Sequence, residues 1–326
     1  MNSSSPAIRW IKTHPILVLL LVVIAVFSLL SDSFLSPRNF LNILVQASAL
    51  TIVATGMTFV LLTAGIDLSV GSIMFLGGVI AGKLAVGGLS VCLAIPAVLL
   101  TGLLFGLVNG LFIIRLKIIP FIVTLATFYA GRGLGLYLSE TRAINLPESI
   151  LNIGAARLLG IPLPVVIMAA VVAAGHLLLT QTSFGRQLYA VGHSREKAVK
   201  AGLPVNSLLL RVYLISGGCA AVGGLVAIAQ LGAVSPTFGL QSEFMAIAAA
   251  VLGGTSLFGG QGKVFPGTFV GALLIQMIQN GLVIVNADPY LYPLVTGAII
   301  FLIVLADSRR HLAQQRMQKG GGGMGG

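Results

Sequence analysis

The chain has 326 residues, of which 57% are hydrophobic and only 8% charged, and its mean hydropathy is +1.04. A water-soluble domain carries roughly 25% charged residues, so lipid must be the main solvent of this chain. The formal net charge of +11 comes without a basic patch interleaved with aromatics, which excludes a nucleic-acid partner as its explanation.

Residues 1–13 read as a short cytoplasmic N-terminus containing Arg9 and Lys12. A spanning helix needs about 20 mostly apolar residues. Such runs follow at 14–31, 43–63, 70–88, 91–114, 119–138, 162–180, 211–231, 244–260, 264–285 and 290–306. The first run follows basic residues as a signal peptide would. Ser31-Asp32-Ser33-Phe34 is a poor cleavage site, however, so an uncleaved helix is expected. The runs at 43–63, 70–88 and 244–260 are interrupted by glycine and are open to being half-helices or re-entrant segments. Residues 308–326, with their glycine-rich end, read as a flexible cytoplasmic tail. The expected fold is therefore all-α: a polytopic transmembrane bundle of about ten spans over 14–307, with both termini cytoplasmic. In that orientation 14 of the 19 Lys and Arg residues fall on the inside, and only Arg38, Lys83, Arg132, Arg142 and Arg157 fall outside. The positive-inside rule favours it.

Two loops are long enough for structure of their own. The outer loop 139–161 has room for a short helix from Glu148 to Leu159. The inner loop 181–210 is the longest polar stretch and concentrates its charges between Arg186 and Lys200, which points to a docking surface. An internal echo accompanies them. Asn109-Gly110-Leu111 is followed by Pro120 and Val123-Thr124, and Asn280-Gly281-Leu282 by Pro293 and Val295-Thr296. Transport folds are often built from inverted repeats.

Enzymatic chemistry finds no footing: no nucleophile elbow, no HExxH, no intramembrane carboxylate pair. Gly259-Gly260-Gln261-Gly262-Lys263-Val264 lacks the spacing and the hydroxyl residue of a phosphate-binding loop, so any ATPase belongs to another subunit. No cofactor or metal is expected, and Cys92 and Cys219 read as inert buried thiols. Asp67 lies at a Gly-flanked break and, with Ser69, reads as a cap on the next helix; the alternative is a coupling-ion or substrate contact. Arg132 reads as snorkelling or pairing with Glu140. Neutral polar groups remain inside the runs: Gln46, Asn109, Thr124, Gln276, Gln279 and Asn280, with the Phe128 and Tyr129 rings nearby. Amides, hydroxyls and aromatic faces suit an uncharged solute rich in hydroxyls, although intramembrane Asn and Gln also tie helices together.

Three long motifs carry a family resemblance: GMTFVLLTAGIDLSVGSI from Gly56 to Ile73, KIIPFIVTLAT from Lys117 to Thr127, and EFMAIAAAVLGGTSLFGGQG from Glu243 to Gly262. Over about residues 15–307 the chain resembles permease subunits of ribose-type ATP-binding-cassette importers. The resemblance implies a multi-pass protein of the bacterial inner membrane that works with a second permease copy or paralogue. It also implies two cytoplasmic ATPase subunits below and a periplasmic sugar-binding protein above. Its coupling loop corresponds to residues 185–203, where Gly185, Arg186, Ala190, Gly192, Ala198 and Gly202 match; His193-Ser194 stands where Gly-Asn is usual, and Lys197 where Ala is usual. The cargo implied is a monosaccharide such as ribose or a similar pentose or hexose. A branched-chain amino acid or a nucleoside, carried by the same class of importer, is the neighbouring alternative, and an ion-coupled secondary transporter the more distant one.

Overall fold

A computed structural model describes residues 15–321. The chain forms α1 (Pro15–Leu30), α2 (Pro37–Leu62), α3 (Val70–Val86), α4 (Val91–Arg115), α5 (Pro120–Ser139), β1 (Ile144–Asn145), α6 (Glu148–Ala155), β2 (Arg157–Leu158), β3 (Ile161–Pro162), α7 (Leu163–Gln181), α8 (Ser183–His193), α9 (Arg195–Lys200), α10 (Val205–Leu231), β4 (Ala233–Val234), α11 (Ser242–Leu252), a wide turn at Val264–Thr268, α12 (Phe269–Ile284) and α13 (Leu291–Gly321). Every apolar run contains a helix. Among the described residues, six helices are long and apolar enough to cross a membrane: α2, α4, α5, α7, α10, and α12 with its preceding turn. The protein is a multi-pass membrane protein.

Helix starts follow local chemistry. Ser36 accepts the Asn39 N–H at 3.2 Å ahead of Pro37, and Ser90 accepts the Cys92 N–H at 3.2 Å. Pro120 opens α5. Several expected boundaries change. The run at 43–63 is one unbroken helix that begins at Pro37. The run at 244–260 is helical only to Leu252. At about 1.5 Å per residue α11 reaches about 16 Å, roughly half a bilayer core. Helix α10 begins at Val205 and shortens the inner loop, and α13 continues to Gly321. The short helix in the outer loop is present as α6. Two-residue strands accompany the helices: β1 pairs antiparallel with β4, and β2 with β3. Cys92 is exposed rather than buried; Cys219 is partly buried, and both are free.

The core lies along α2 and α10. Most of α2 from Thr51 to Leu62 is fully buried, and Val212, Tyr213, Ala220 and Ala221 of α10 are at 0% exposure. Helix α4 runs antiparallel to α10 with its backbone pressed onto it: a Cβ at Gly102 would strike the Gly217 carbonyl, and one at Gly106 the Tyr213 carbonyl. Small residues permit that approach in lipid. Helix α12 packs on α2 as α4 packs on α10, and short α11 packs on α2 as short α3 packs on α10. The repeated Asn-Gly-Leu triplets fall on α4 and α12, which hold corresponding places in this exchange.

Candidate functional site

Helix α2 runs antiparallel to α12, and three polar rungs join it to α12 and the turn before it. Asn39 Nδ2 donates to Asn280 Oδ1 at 3.0 Å, Gln276 Nε2 donates to Gln46 Oε1 at 2.9 Å, and the Thr58 and Thr268 hydroxyls meet at 2.6 Å. The middle rung borders a cavity of about 450 Å³ that α10, α11 and α13 complete. Gln241, Ser242, Gln279, Tyr292 and Thr296 join Gln46 and Gln276 in its polar lining; the rest is apolar or glycine, and no acid or base is among the lining residues. A neighbouring space of about 370 Å³ shares Gln46, Gln276, Gln279 and Tyr292. The cavity touches Ala227 near the end of α10. It thus lies at the end of α10 opposite to α8 and α9, which precede its first turn.

The polar residues expected along a pathway divide. Gln46 and Gln276 meet at the cavity. Asn280 borders the smaller space, while its side chain is engaged by Asn39. Asn109 and Thr124 are at 0% exposure, away from the cavity. Asn109 Nδ2 donates to Ser69 Oγ at 2.9 Å and its Oδ1 accepts from Thr127 at 2.7 Å; Thr124 donates to the Ile66 carbonyl at 3.2 Å. At the centre of this network Asp67 Oδ1 accepts the Ser69 N–H at 3.0 Å and the Ser69 hydroxyl at 2.6 Å, and Oδ2 accepts from Ser216 at 2.7 Å. The network ties the break before α3 to α4, α5 and α10. Phe128 is partly exposed, packs edge-to-face on Tyr129 and does not border the cavity.

Arg132 neither snorkels nor meets Glu140, which faces Arg142 at 3.9 Å on the surface. It is 8% exposed. Its guanidinium stacks 4.1 Å from the centre of the Phe75 ring, donates to the Phe238 carbonyl at 2.6 Å, and donates to the Pro236 carbonyl. These carbonyls belong to the segment between β4 and α11 whose continuation, Phe238 to Ser242, walls the cavity. Glu243 is 5% exposed at the start of α11.

Residues 39–304 match the family model described as the permease component of the branched-chain amino acid transport system. The chain belongs to this permease family. Among curated relatives, it is 39% identical to the ribose import permease of Haemophilus influenzae over 89% of this chain and 91% of that one. It is 38% identical to the ribose import permease of Bacillus subtilis, over 92% and 93%. It is 37% identical to the D-allose transport system permease of Escherichia coli, over 92% and 93%. No solved structure matches.

At the opposite end of the permease from the cavity, α8 and α9 form a compact pair. Thr182 caps α8 by accepting the Gly185 N–H at 3.3 Å, and Ser194 caps α9 by accepting the Lys197 N–H at 3.3 Å. Helix α8 buries Phe184, Gly185, Leu188 and Val191, and α9 buries Ala198. Arg186, Ala190, His193, Arg195, Lys197, Lys200 and Gly202 remain exposed. The buried side sits on two of the sequence motifs at once. A Cβ on Gly192 would strike the Leu62 carbonyl at the end of α2 and the Gly260 nitrogen. The Tyr189 hydroxyl donates to the Gly262 carbonyl at 2.7 Å, and the Gly260 N–H donates to the Leu62 carbonyl at 3.0 Å. Burial pushes the Tyr189 phenol above its ordinary value of 10.0.

Proposed function

We propose that this chain is the membrane-spanning subunit of an ATP-binding-cassette importer and forms the passage for a monosaccharide, ribose or a similar pentose or hexose. In this reading it sits in the bacterial inner membrane with about ten membrane-crossing segments and cytoplasmic termini. It pairs with a second copy or a paralogue, receives cargo from a periplasmic binding protein at the cavity end, and docks ATPase subunits on α8 and α9.

The observation that carries the reading is the cavity lining. The family description names amino acids, whereas the relatives above are named for ribose and allose. A zwitterionic amino acid needs a counter-charge for each of its two charges when it leaves water. The lining offers carboxamides, hydroxyls and one phenol, which match a neutral polyol. The ion-coupled alternative requires a carboxylate that the passage can reach. Asp67 is at 0% exposure and bonded through both oxygens, and buried Glu243 is not among the residues that line the cavity.

Force enters at α8. Motion of an ATPase against its exposed face passes through Gly192 and Tyr189 to the end of α2 and to the 256–262 loop that leads into α12. Those two helices carry Gln46 and Gln276 at the cavity and are locked by the Asn39–Asn280 and Thr58–Thr268 rungs, so they shift as a body. Uptake of labelled ribose, allose and xylose by cells carrying the complete importer, with labelled leucine in parallel, tests the reading. ATP-dependent uptake of a sugar and none of leucine is expected. The reverse pattern would refute it.

A further inference from the structure

The geometry points to a recognition site for a vicinal diol at the Gln46–Gln276 pair, a deepening that rests on the sugar reading above. A carboxamide offers two N–H donors and a carbonyl with two lone pairs. The single bond between the two side chains uses one donor of Gln276 and one lone pair of Gln46. The Gln46 amino group and the Gln276 carbonyl have no other partner among the described residues, and both residues border the cavity. Turning both amides over leaves the same inventory, one NH2 and one carbonyl, so the conclusion is independent of how each amide is oriented. Two adjacent sugar hydroxyls are its complement: one oxygen accepts from the NH2 while its neighbour donates to the carbonyl. Tyr292 in the same lining supplies a flat ring for the apolar face of the sugar. The outer rung, by contrast, is nearly buried and does not border the larger cavity. Asn39 Nδ2 is shared between Asn280 and the Phe34 carbonyl, and both asparagines are 7% exposed. The Gln46–Gln276 pair is therefore the rung whose spare bonding capacity lies at the larger cavity.

The test is saturation-transfer NMR on the full-length permease in lipid nanodiscs. The probes are D-ribose, D-allose and D-xylose at millimolar concentration, with 2-deoxy-D-ribose and L-leucine for comparison. The wild type is expected to saturate at least one of the intact sugars and to saturate 2-deoxy-D-ribose less than ribose. Q46M and Q276M should each weaken the sugar signal about tenfold, the loss of one to two hydrogen bonds. Q46E keeps size and polarity but removes the donor, so it should weaken the signal likewise and stand in for any Met variant that does not fold. The Q46M/Q276M double variant separates recognition from helix tying: an apolar pair restores a mere tie, but it cannot bind a diol. Wild-type sugar saturation in the double variant or in Q46E would overturn the site, as would a wild type that saturates none of the sugars. If sugar uptake by the complete importer persists in such a case, the site alone fails. If leucine is taken up and sugars are not, the function proposed above fails with it.

Discussion

The Tyr189 hydroxyl donates to the Gly262 carbonyl at 2.7 Å, and this bond joins α8 to the loop that leads into α12. With Gly192 against Leu62 on its other side, α8 holds the ends of both helices that meet at the cavity. Replacing Tyr189 with Phe removes the bond and leaves the ring, at a cost of about 1 kcal/mol. Uptake should fall several-fold while ATPase capture persists. The phenol, raised above 10.0 by burial, is protonated in the folded and unfolded protein alike through the neutral range. Its contribution is therefore constant below about pH 10 and is lost only above that. Transport assayed from pH 6 to 8 in wild type and Y189F should accordingly show parallel profiles.

Gly192→Ala places a methyl group against backbone atoms of Leu62 and Gly260, and backbone cannot swing aside as a side chain does. Uptake is expected to drop at least about tenfold, the effect of roughly 1.4 kcal/mol of misplacement. The amount of permease in the membrane should stay near wild type on an immunoblot.

Arg186 is exposed on α8, so Arg186→Glu leaves the fold intact and reverses one charge on the proposed docking face. Uptake and recovery of the ATPase by affinity capture should fall together. Unchanged capture would remove Arg186 from the contact.

Arg132 fixes the segment that walls the cavity through the carbonyls of Pro236 and Phe238. Charge-assisted bonds of this kind contribute about 1.5–3 kcal/mol. Arg132→Gln should therefore lower uptake by about tenfold or more with ATPase capture unchanged. Arg132→Lys should rescue only in part, because lysine lacks the planar fork and the stacking face.

Asp67→Asn should leave the pH profile of uptake unaltered, because the carboxylate serves Ser69 and Ser216. Asp67→Ala orphans those buried hydroxyls at about 1–3 kcal/mol and should lower the thermal stability of the purified protein. A shift of the pH optimum in Asp67→Asn would instead give Asp67 a coupling role.

Helical content was readable because a membrane demands long apolar runs. Their ends were less so. The end of α11 is marked by Gly253-Gly254, with Gly254 at φ 92°, but the residues to Phe258 carry no charge and end on Leu257-Phe258, so hydropathy passes over the stop. Gly56 suggested a break in α2, yet its missing side chain admits Ser216 and Cys219 of α10, and the helix continues. Intramembrane amides were visible as a class, but composition does not reveal which face each one takes. Gln46 and Gln276 face the cavity, whereas Asn109 is sealed in the Asp67 network. Gln241 and Tyr292 sit at helix starts, outside the middle of any apolar run. The partners of Arg132 are backbone carbonyls about a hundred positions away, and a carbonyl leaves no trace in sequence.

The most direct test of the importer account is affinity capture of the full chain from its native membranes, followed by mass spectrometry. A P-loop ATPase recovered in stoichiometric amount, and lost when Gly192→Ala or Arg186→Glu is captured instead, is the expected result. Recovery of the chain without an ATPase, with uptake driven by an ion gradient, would contradict the account and turn attention to Asp67.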